Sequence, residues 1–338
     1  MKAFLPLFLV ALCACNSIIN EDLNAYLKKH APFKVYEPSK NPFRNWTDEE
    51  IRNLFKVELR PVKKEQKVEI VSDAPEAFDA REQWPDCVQE IRDQASCGSC
   101  WAFSAVEALQ WRFCVATSGQ TNLVLSAQDL VSCDYNNYGC DGGYLDYTWD
   151  YLSGTGAVTE SCYPYESASG VVPACRDSCV DGEDWVKYKS TQYKEFTTPD
   201  AIKDTVQKSG PIQTGFTVYS DFMQYESGIY KHVSGGLLGG HAVVIVGWGV
   251  EDGTKFWIAQ NSWAEDWGEQ GYFRIAEGEC DFDFYSYYYK YYFVLHYHFL
   301  LIEDTLDYFD IVVVAVNLNY CLALLFHFFS LINLQYFD

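Results

Sequence analysis

Positive charge is scarce in this 338-residue chain. Twenty-five Lys and Arg stand against 47 Asp and Glu, for a net charge of −22. So acidic a surface repels phosphate backbones, which excludes nucleic acid as a partner. Charged residues are only 21% and apolar residues 49%, a balance that excludes disordered, collagenous and coiled-coil classes. No internal repeat is present, so the chain is not a solenoid. Histidine is also rare, with six in all.

Cysteine, in contrast, is abundant at thirteen residues. The N-terminus accounts for this. Lys2 precedes an apolar run from Ala3 to Ala14, followed by polar Asn16 and Ser17. A short basic start, a short apolar stretch and small residues near Ala14 or Cys15 read as a secretory signal peptide over residues 1–15. The run is too short to span a membrane. Leu12-Cys13-Ala14-Cys15 resembles a lipoprotein box only faintly. Secretion implies an oxidising compartment, secreted or lysosome-like, in which most cysteines pair as disulfides.

Three blocks follow. Residues 16–73 have no cysteine, four prolines and a net charge of +1. Asn20 to His30 suggests one helix, and Thr47-Asp48-Glu49-Glu50 before Ile51 suggests a second with a capped start. The block has too few apolar residues for a core of its own and reads as a removable pro-segment. Asn45-Trp46-Thr47 is its glycosylation sequon. Residues 74–280 form the folded body, at a net charge of −18. Helical periodicity runs over Cys100–Cys114 and Ala201–Ser209, and strand patterns over Val243–Trp248, Phe256–Ala259 and Tyr272–Ile275. Early helices and late strands imply an α+β fold with segregated halves. Residues 281–338 are atypical: Phe284–Phe293 is mostly aromatic, and Ile311–Ile332 is apolar but broken by Asn317, Asn319 and His327. Two readings compete for this tail, a read-through or mis-joined end and a C-terminal membrane anchor. A membrane partner follows only from the second.

The most informative stretch is Gln94-Ala95-Ser96-Cys97-Gly98-Ser99-Cys100-Trp101. Cys100 opens a helix, with Ser99 placed to cap it. A thiol at a helix N-terminus feels the positive end of the dipole, which lowers its pKa and favours the nucleophilic thiolate. Cys100 could instead be half of a structural disulfide, or Cys97-x-x-Cys100 a redox pair of a thiol–disulfide oxidoreductase. The redox motif follows a strand in a βαβ unit with Trp before its first Cys, whereas here Trp101 follows the second.

A thiolate nucleophile needs a base. His30 lies in the pro-segment, and His296, His298 and His327 lie in the tail, leaving His232 and His241. His232 sits in a polar turn. His241 starts an apolar strand, Gly240-His241-Ala242-Val243, and follows Cys100 at the separation expected for this signature. Asn261, in Gln260-Asn261-Ser262-Trp263, can fix the imidazole tautomer, and Trp263 can shield that bond from water. The Gln94 side chain and the Cys100 backbone N–H are candidate oxyanion donors.

Together these blocks resemble the papain family of cysteine proteases, and its cathepsin B-like subgroup in particular. Phe78-Asp79-Ala80-Arg81, Cys140-Asp141-Gly142-Gly143-Tyr144 and Gly247-Trp248-Gly249 add to the likeness, which covers about residues 20–280. The resemblance implies a helical left domain, an antiparallel β-barrel right domain and a cleft between them. It implies the pairs Cys87–Cys114, Cys97–Cys140, Cys133–Cys175 and Cys162–Cys179. Gly142 and Gly143 would let an extended peptide lie close, Tyr144 and Ala242 would wall the main specificity pocket, and Trp263 and Trp267 would line the leaving-group side. Cathepsin B carries a long histidine-bearing loop that blocks the primed end of its cleft, whereas Cys162–Cys179 here is short and has no histidine. Ala95 stands where Gly is usual, and the sequence after Cys280 departs from the family's closing strand.

The reading is a cysteine endopeptidase acting on polypeptides, made as a zymogen inhibited by its own pro-segment, with no cofactor and no metal. The alternatives are an inactive papain-like binding homologue and the oxidoreductase.

Overall fold

Helices dominate the first half of the chain and strands the second. The computed structural model describes residues 17–60, 73–191, 193–196 and 198–289. The expected signal peptide and the sequence from 290 onward, with its competing readings as anchor or read-through, lie outside the described residues. The helices are α1 (Glu21–His30), α2 (Asp48–Asn53), α3 (Ala80–Gln83), α4 (Cys100–Ala116), α5 (Ala127–Cys133), α6 (Leu145–Gly154) and α7 (Pro199–Ser209). The strands are β1 (Lys34–Val35), β2 (Phe78–Asp79), β3 (Tyr193–Phe196), β4 (Ile212–Tyr219), β5 (Tyr225–Ser227), β6 (Ile229–Tyr230), β7 (Leu237–Glu251), β8 (Thr254–Gln260), β9 (Tyr272–Ala276) and β10 (Ser286–Tyr289). Among the described residues no helix is long and apolar enough to cross a membrane.

The eight-stranded sheet runs β3-β10-β4-β7-β8-β9-β6, with β2 pairing β7 from outside that path. Its pairs are antiparallel except β6 with β9. Strand β7 is the longest at 15 residues, because its middle is buried on both faces and reads as one apolar run. Residues 243–248 alone announced a strand, whereas β4 extends the pairing back through Phe216↔His241 to Tyr219↔Leu237. His241 therefore sits inside the strand, not at its start.

The body was expected to end at Cys280, but the sheet continues beyond it. Phe282 is fully buried in the main core, and its carbonyl accepts from Thr214 Oγ1 at 2.9 Å. Gly215 N donates to the Tyr285 carbonyl at 3.2 Å, and β10 then pairs both β3 and β4. The Asp283 carboxylate accepts from Trp257 Nε1 and from Gly278 N. An aromatic-rich segment that looks foreign in sequence thus supplies an interior strand.

The N-terminal segment has no core of its own, as its composition implies, and it borrows one. Leu27, Phe33, Tyr36, Phe43, Ile51, Leu54 and Phe55 are buried in the same cluster as Phe222, Trp263 and Trp267. Its helices start as the sequence suggests. Asn20 caps α1, and Thr47 and Glu50 form a reciprocal capping box on α2.

Helix α4 is buried along almost its whole length and packs on α5, α6, β4 and β7. It carries Glu107 into this interior. Glu107 Oε1 has no hydrogen-bond partner among the described residues. Burial pushes its carboxyl up to about 8, against the weaker pull of Arg92 and Gln260. The sign of the linkage follows. Below the ordinary 4.5 both folded and unfolded chains hold the proton; above it the unfolded chain ionises first, so stability falls until about pH 8. Glu107→Gln should flatten this decline, recovering on the order of 1–3 kcal/mol at pH 7.5 relative to pH 5. Denaturant midpoints of both proteins at the two pH values check it; equal slopes would show that Glu107 titrates normally.

Candidate active site

Cys100 stands at the first residue of α4, held from behind by covalent geometry. The Cys97–Cys140 disulfide and the Gly98 N to Cys140 O bond, 3.0 Å, fix the turn before it. The other three disulfides are Cys87–Cys114, Cys133–Cys175 and Cys162–Cys179, the same pairs the resemblance implies. Cys97 is therefore bonded to Cys140, and Cys97-x-x-Cys100 is not a redox pair. Among the described residues Cys100 and Cys280 are the free thiols.

Ser99 does not cap α4 as expected. Its hydroxyl lies 2.9 Å from Tyr165 Oη, and that phenol donates to the Gln94 carbonyl at 2.9 Å. Tyr165 thus braces the turn before Cys100, a role that no local sequence signal reveals.

Strand β7 brings His241 and Ala242 to the same place, and the end of β8 brings Asn261. His241 Nε2 lies 2.8 Å from Asn261 Oδ1. Ser262 N also donates to Asn261 Oδ1, at 2.9 Å, which identifies that atom as the amide oxygen. Nε2 must then carry the proton, and Nδ1 keeps its lone pair. Nδ1 makes no hydrogen bond among the described residues. Trp263 stacks on the imidazole at 4.8 Å and 29°, covering the bond to Asn261. Trp267 is fully buried behind Trp263, edge-on at 4.8 Å. His232 is elsewhere: its Nδ1 bonds buried Asp221 at 3.0 Å, and its ring stacks on Tyr219.

Gln94 is fully buried beside this group. Its amide donates to the Cys97 carbonyl at 2.9 Å and accepts from Ser262 Oγ at 2.8 Å. One of its two amide hydrogens is thereby used.

The N-terminal segment lies directly over these residues. Cys100 Sγ is 3.6 Å from the Leu54 carbonyl oxygen. Val57 N donates to Gly240 O and Glu58 N to Gly143 O, both at 3.2 Å. Gly142, at φ +106°, allows this approach, since a Cβ there would lie 1.9 Å from the Lys56 carbonyl oxygen. Gly240 does the same under Val57, whose carbonyl oxygen would be 2.3 Å from a Cβ. Phe55 sets its ring edge against both His241 and Trp263. Leu59 reaches the space above Gly215 and Gly240, and Arg60 lies over Tyr144.

Burial reverses the expected ionisation. Burial pushes the Cys100 thiol up to about 12, against hydrogen bonds from the backbone of Ala242, Trp101 and Cys100 itself. Burial also pushes His241 down to about 4, against Asn261 and the Leu54 carbonyl. The lowered thiol pKa inferred from the helix terminus does not hold while the site is covered.

Residues 74–289 match the model of the papain family cysteine protease. The cathepsin B-like protein CP3 of Giardia intestinalis is 47% identical over 61% of this chain and 71% of its own. A second Giardia intestinalis relative, cathepsin B-like CP1, is 38% identical over 82% of this chain and 95% of its own. Among solved structures, procathepsin B S9 from Trypanosoma congolense superposes with a TM-score of 0.72 at 30% identity, covering 81% of this chain and 98% of that one. The proform of a ragweed pollen cysteine protease allergen gives 0.67 at 28% identity, covering 79% and 84%.

The covered site makes a direct prediction. At pH 6–7 iodoacetamide should modify Cys100 of the uncleaved chain slowly, with a rate that climbs through alkaline pH. Removal of residues before 73 should speed modification at pH 6 by about a hundredfold or more, as thiolate becomes available. Peptide mass spectrometry distinguishes Cys100 from Cys280. A fast, pH-flat reaction in the uncleaved chain would contradict the covered, neutral thiol.

Proposed function

The chain belongs to the papain family of cysteine proteases, and from that premise we propose that it is a secreted or lysosome-like endopeptidase, made as a zymogen, that cleaves polypeptides with Cys100, His241 and Asn261. One observation carries the reading. A free thiol at a helix start and an imidazole with an unengaged Nδ1 meet at one point, the Leu54 carbonyl, and Asn261 holds the far ring nitrogen.

Residues 16–73 act as the pro-segment, and cleavage near residues 72–75 releases it. Water then reaches the site, so the burial that keeps Cys100 and His241 neutral is relieved. The proton passes from Sγ to Nδ1, giving a thiolate–imidazolium pair. Thiolate attacks the peptide carbonyl carbon, and the Cys100 backbone N–H with the second Gln94 amide hydrogen receives the developing oxyanion. Imidazolium protonates the departing amine as the C–N bond breaks, leaving an acyl-enzyme. His241 then takes a proton from water, whose oxygen attacks the thioester, and the thiolate departs. Gly142 and Gly143 receive the substrate backbone, as they receive residues 56–58 here. Tyr144 and Ala242 wall the main pocket, and Trp263 with Trp267 stands on the leaving-group side.

Cys100→Ala should abolish hydrolysis without unfolding the chain. His241→Ala should cost roughly 10²–10⁴-fold in kcat, and Asn261→Ala less, since it orients and does not react. Initial rates on a fluorogenic peptide, with folding followed by circular dichroism, check all three. Persistent activity in Cys100→Ala would remove the protease reading in favour of an inactive homologue with a contaminant.

The mode of cleavage follows from the stretch Cys162–Cys179. It is tied by its own disulfide, and its Arg176 is engaged by Glu166 at 2.9 Å. It offers no histidine to hold a substrate's C-terminal carboxylate. The primed side should accept long chains, so peptides amidated at the C-terminus should be cut internally at rates within about threefold of their free-acid forms. Product mass spectrometry reads this; release of dipeptides from free C-termini alone would show that another segment blocks the cleft.

A further inference from the structure

Arg60, at the end of the described N-terminal segment, packs part-exposed against two tyrosine rings. Its guanidinium carbon lies 3.4 Å from the centre of the Tyr144 ring and 4.8 Å from that of Tyr147. The two rings stand 5.2 Å apart at 68°, forming two walls. The Asp146 carboxylate closes the third side, with Oδ2 3.8 Å from Arg60 Nη1. These residues are rigidly placed. Tyr144 is the residue before α6, its N–H held by Asn137 Oδ1 at 2.7 Å, and Asp146 and Tyr147 lie in the first turn of that helix.

The position of this cage relative to the catalytic group is set by the segment itself. The Leu54 carbonyl faces Cys100, residues 57 and 58 pair with Gly240 and Gly143, Leu59 enters the space lined by Gly215, Gly240 and Leu145, and Arg60 comes next. The cage therefore lies on the Tyr144 side of the cleft, opposite Trp263, one residue farther from Cys100 than the pocket Leu59 fills. When the segment leaves, Arg60 leaves with it. The two rings and the Asp146 carboxylate that faced Arg60 are then uncovered in a body whose charge is already strongly negative.

We propose that Tyr144, Asp146 and Tyr147 form a subsite for a cationic side chain in the mature enzyme, selecting substrates with Arg or Lys at the position next to the main-pocket residue and farther from the scissile bond. This inference rests on the protease reading above and names its substrate class. Stacking of a guanidinium on aromatic faces, joined by a part-exposed ion pair, is worth about fivefold to thirtyfold in kcat/KM. Arg gains more than Lys, because its flat guanidinium covers ring faces better. Raised salt should shrink the ion-pair share of the preference.

The test uses mature enzyme prepared from the full chain and quenched-fluorescence peptides that keep leucine in the main pocket and vary only the next position: Arg, Lys, citrulline or Glu. Citrulline matches Arg in shape and lacks its charge. Active-site titration with an epoxide peptide inhibitor normalises every preparation to its folded fraction. The inference expects Arg over citrulline by about fivefold or more, with Glu lowest. Asp146→Lys should lower the Arg-to-Glu ratio at least tenfold, and Tyr147→Leu should lower the Arg-to-citrulline ratio where Tyr147→Phe keeps it. Equal kcat/KM for Arg and citrulline in the unsubstituted enzyme, which needs no variant to fold, would overturn the subsite while the protease reading stands. An Arg-to-Glu ratio unmoved by Asp146→Lys would overturn it equally. Failure of the titrant to label Cys100, with no peptide cut, would overturn the protease reading and the subsite with it.

Discussion

One backbone carbonyl, that of Leu54, marks the constraint on which the site depends: water is kept from Cys100 and His241. Two effects oppose each other at the sulfur. The helix terminus favours thiolate by at most about 2 kcal/mol. Burial moves the thiol from its ordinary 9.0 to about 12, which corresponds to about 4 kcal/mol against ionisation. Burial wins, and the same cover keeps the imidazole neutral. On the proposed reading, Cys100, His241 and Asn261 are thus brought together in the uncleaved chain with thiol and imidazole both neutral.

The scaffold explains why the geometry can wait in that state. Cys100 is fixed by α4 and the Cys97–Cys140 bond, His241 by the centre of a long interior strand, and Asn261 by the end of the next. Each belongs to an element whose core packing is independent of the reaction. The N-terminal segment is different. Its apolar residues are buried only by joining the core around Phe222 and Trp263, so its removal uncovers aromatic surface along the cleft. On the proposed reading the glycines that admit residues 56–58 here would admit a substrate backbone too, because close backbone approach is a property of the groove and not of the occupant.

Much of this was legible in the sequence. The Cys100 motif, the elimination of other histidines and the Asn261-Ser262-Trp263 block pointed to Cys100 and His241, which both face the Leu54 carbonyl, and to Asn261, which bonds His241. Thr47 and Asn20 announced their helices because capping is local chemistry. What escaped was non-local. Ser99 is bonded to Tyr165, 66 positions away, so its cap could not be judged from neighbours. Helix α5, at seven residues, carries too few turns for a clear period. Strand β10 was hidden in an aromatic run without alternation, and only its partners β3 and β4 make it a strand. The thiol also faces a residue 46 positions upstream, the Leu54 carbonyl 3.6 Å from its sulfur, which no reading of the Cys100 motif contains. The likeness to procathepsin B and other proforms agrees with a chain whose fold includes its own cover.

The most direct test of this account is the ionisation state of His241 itself. Nitrogen-15 NMR of the imidazole, in the uncleaved chain and again after removal of residues before 73, reports which nitrogens carry protons. At pH 6 the account predicts a neutral ring protonated at Nε2 in the uncleaved chain, and an imidazolium with both nitrogens protonated once the segment is gone. An imidazolium already present in the uncleaved chain would contradict it, since burial would then not be what holds the site silent.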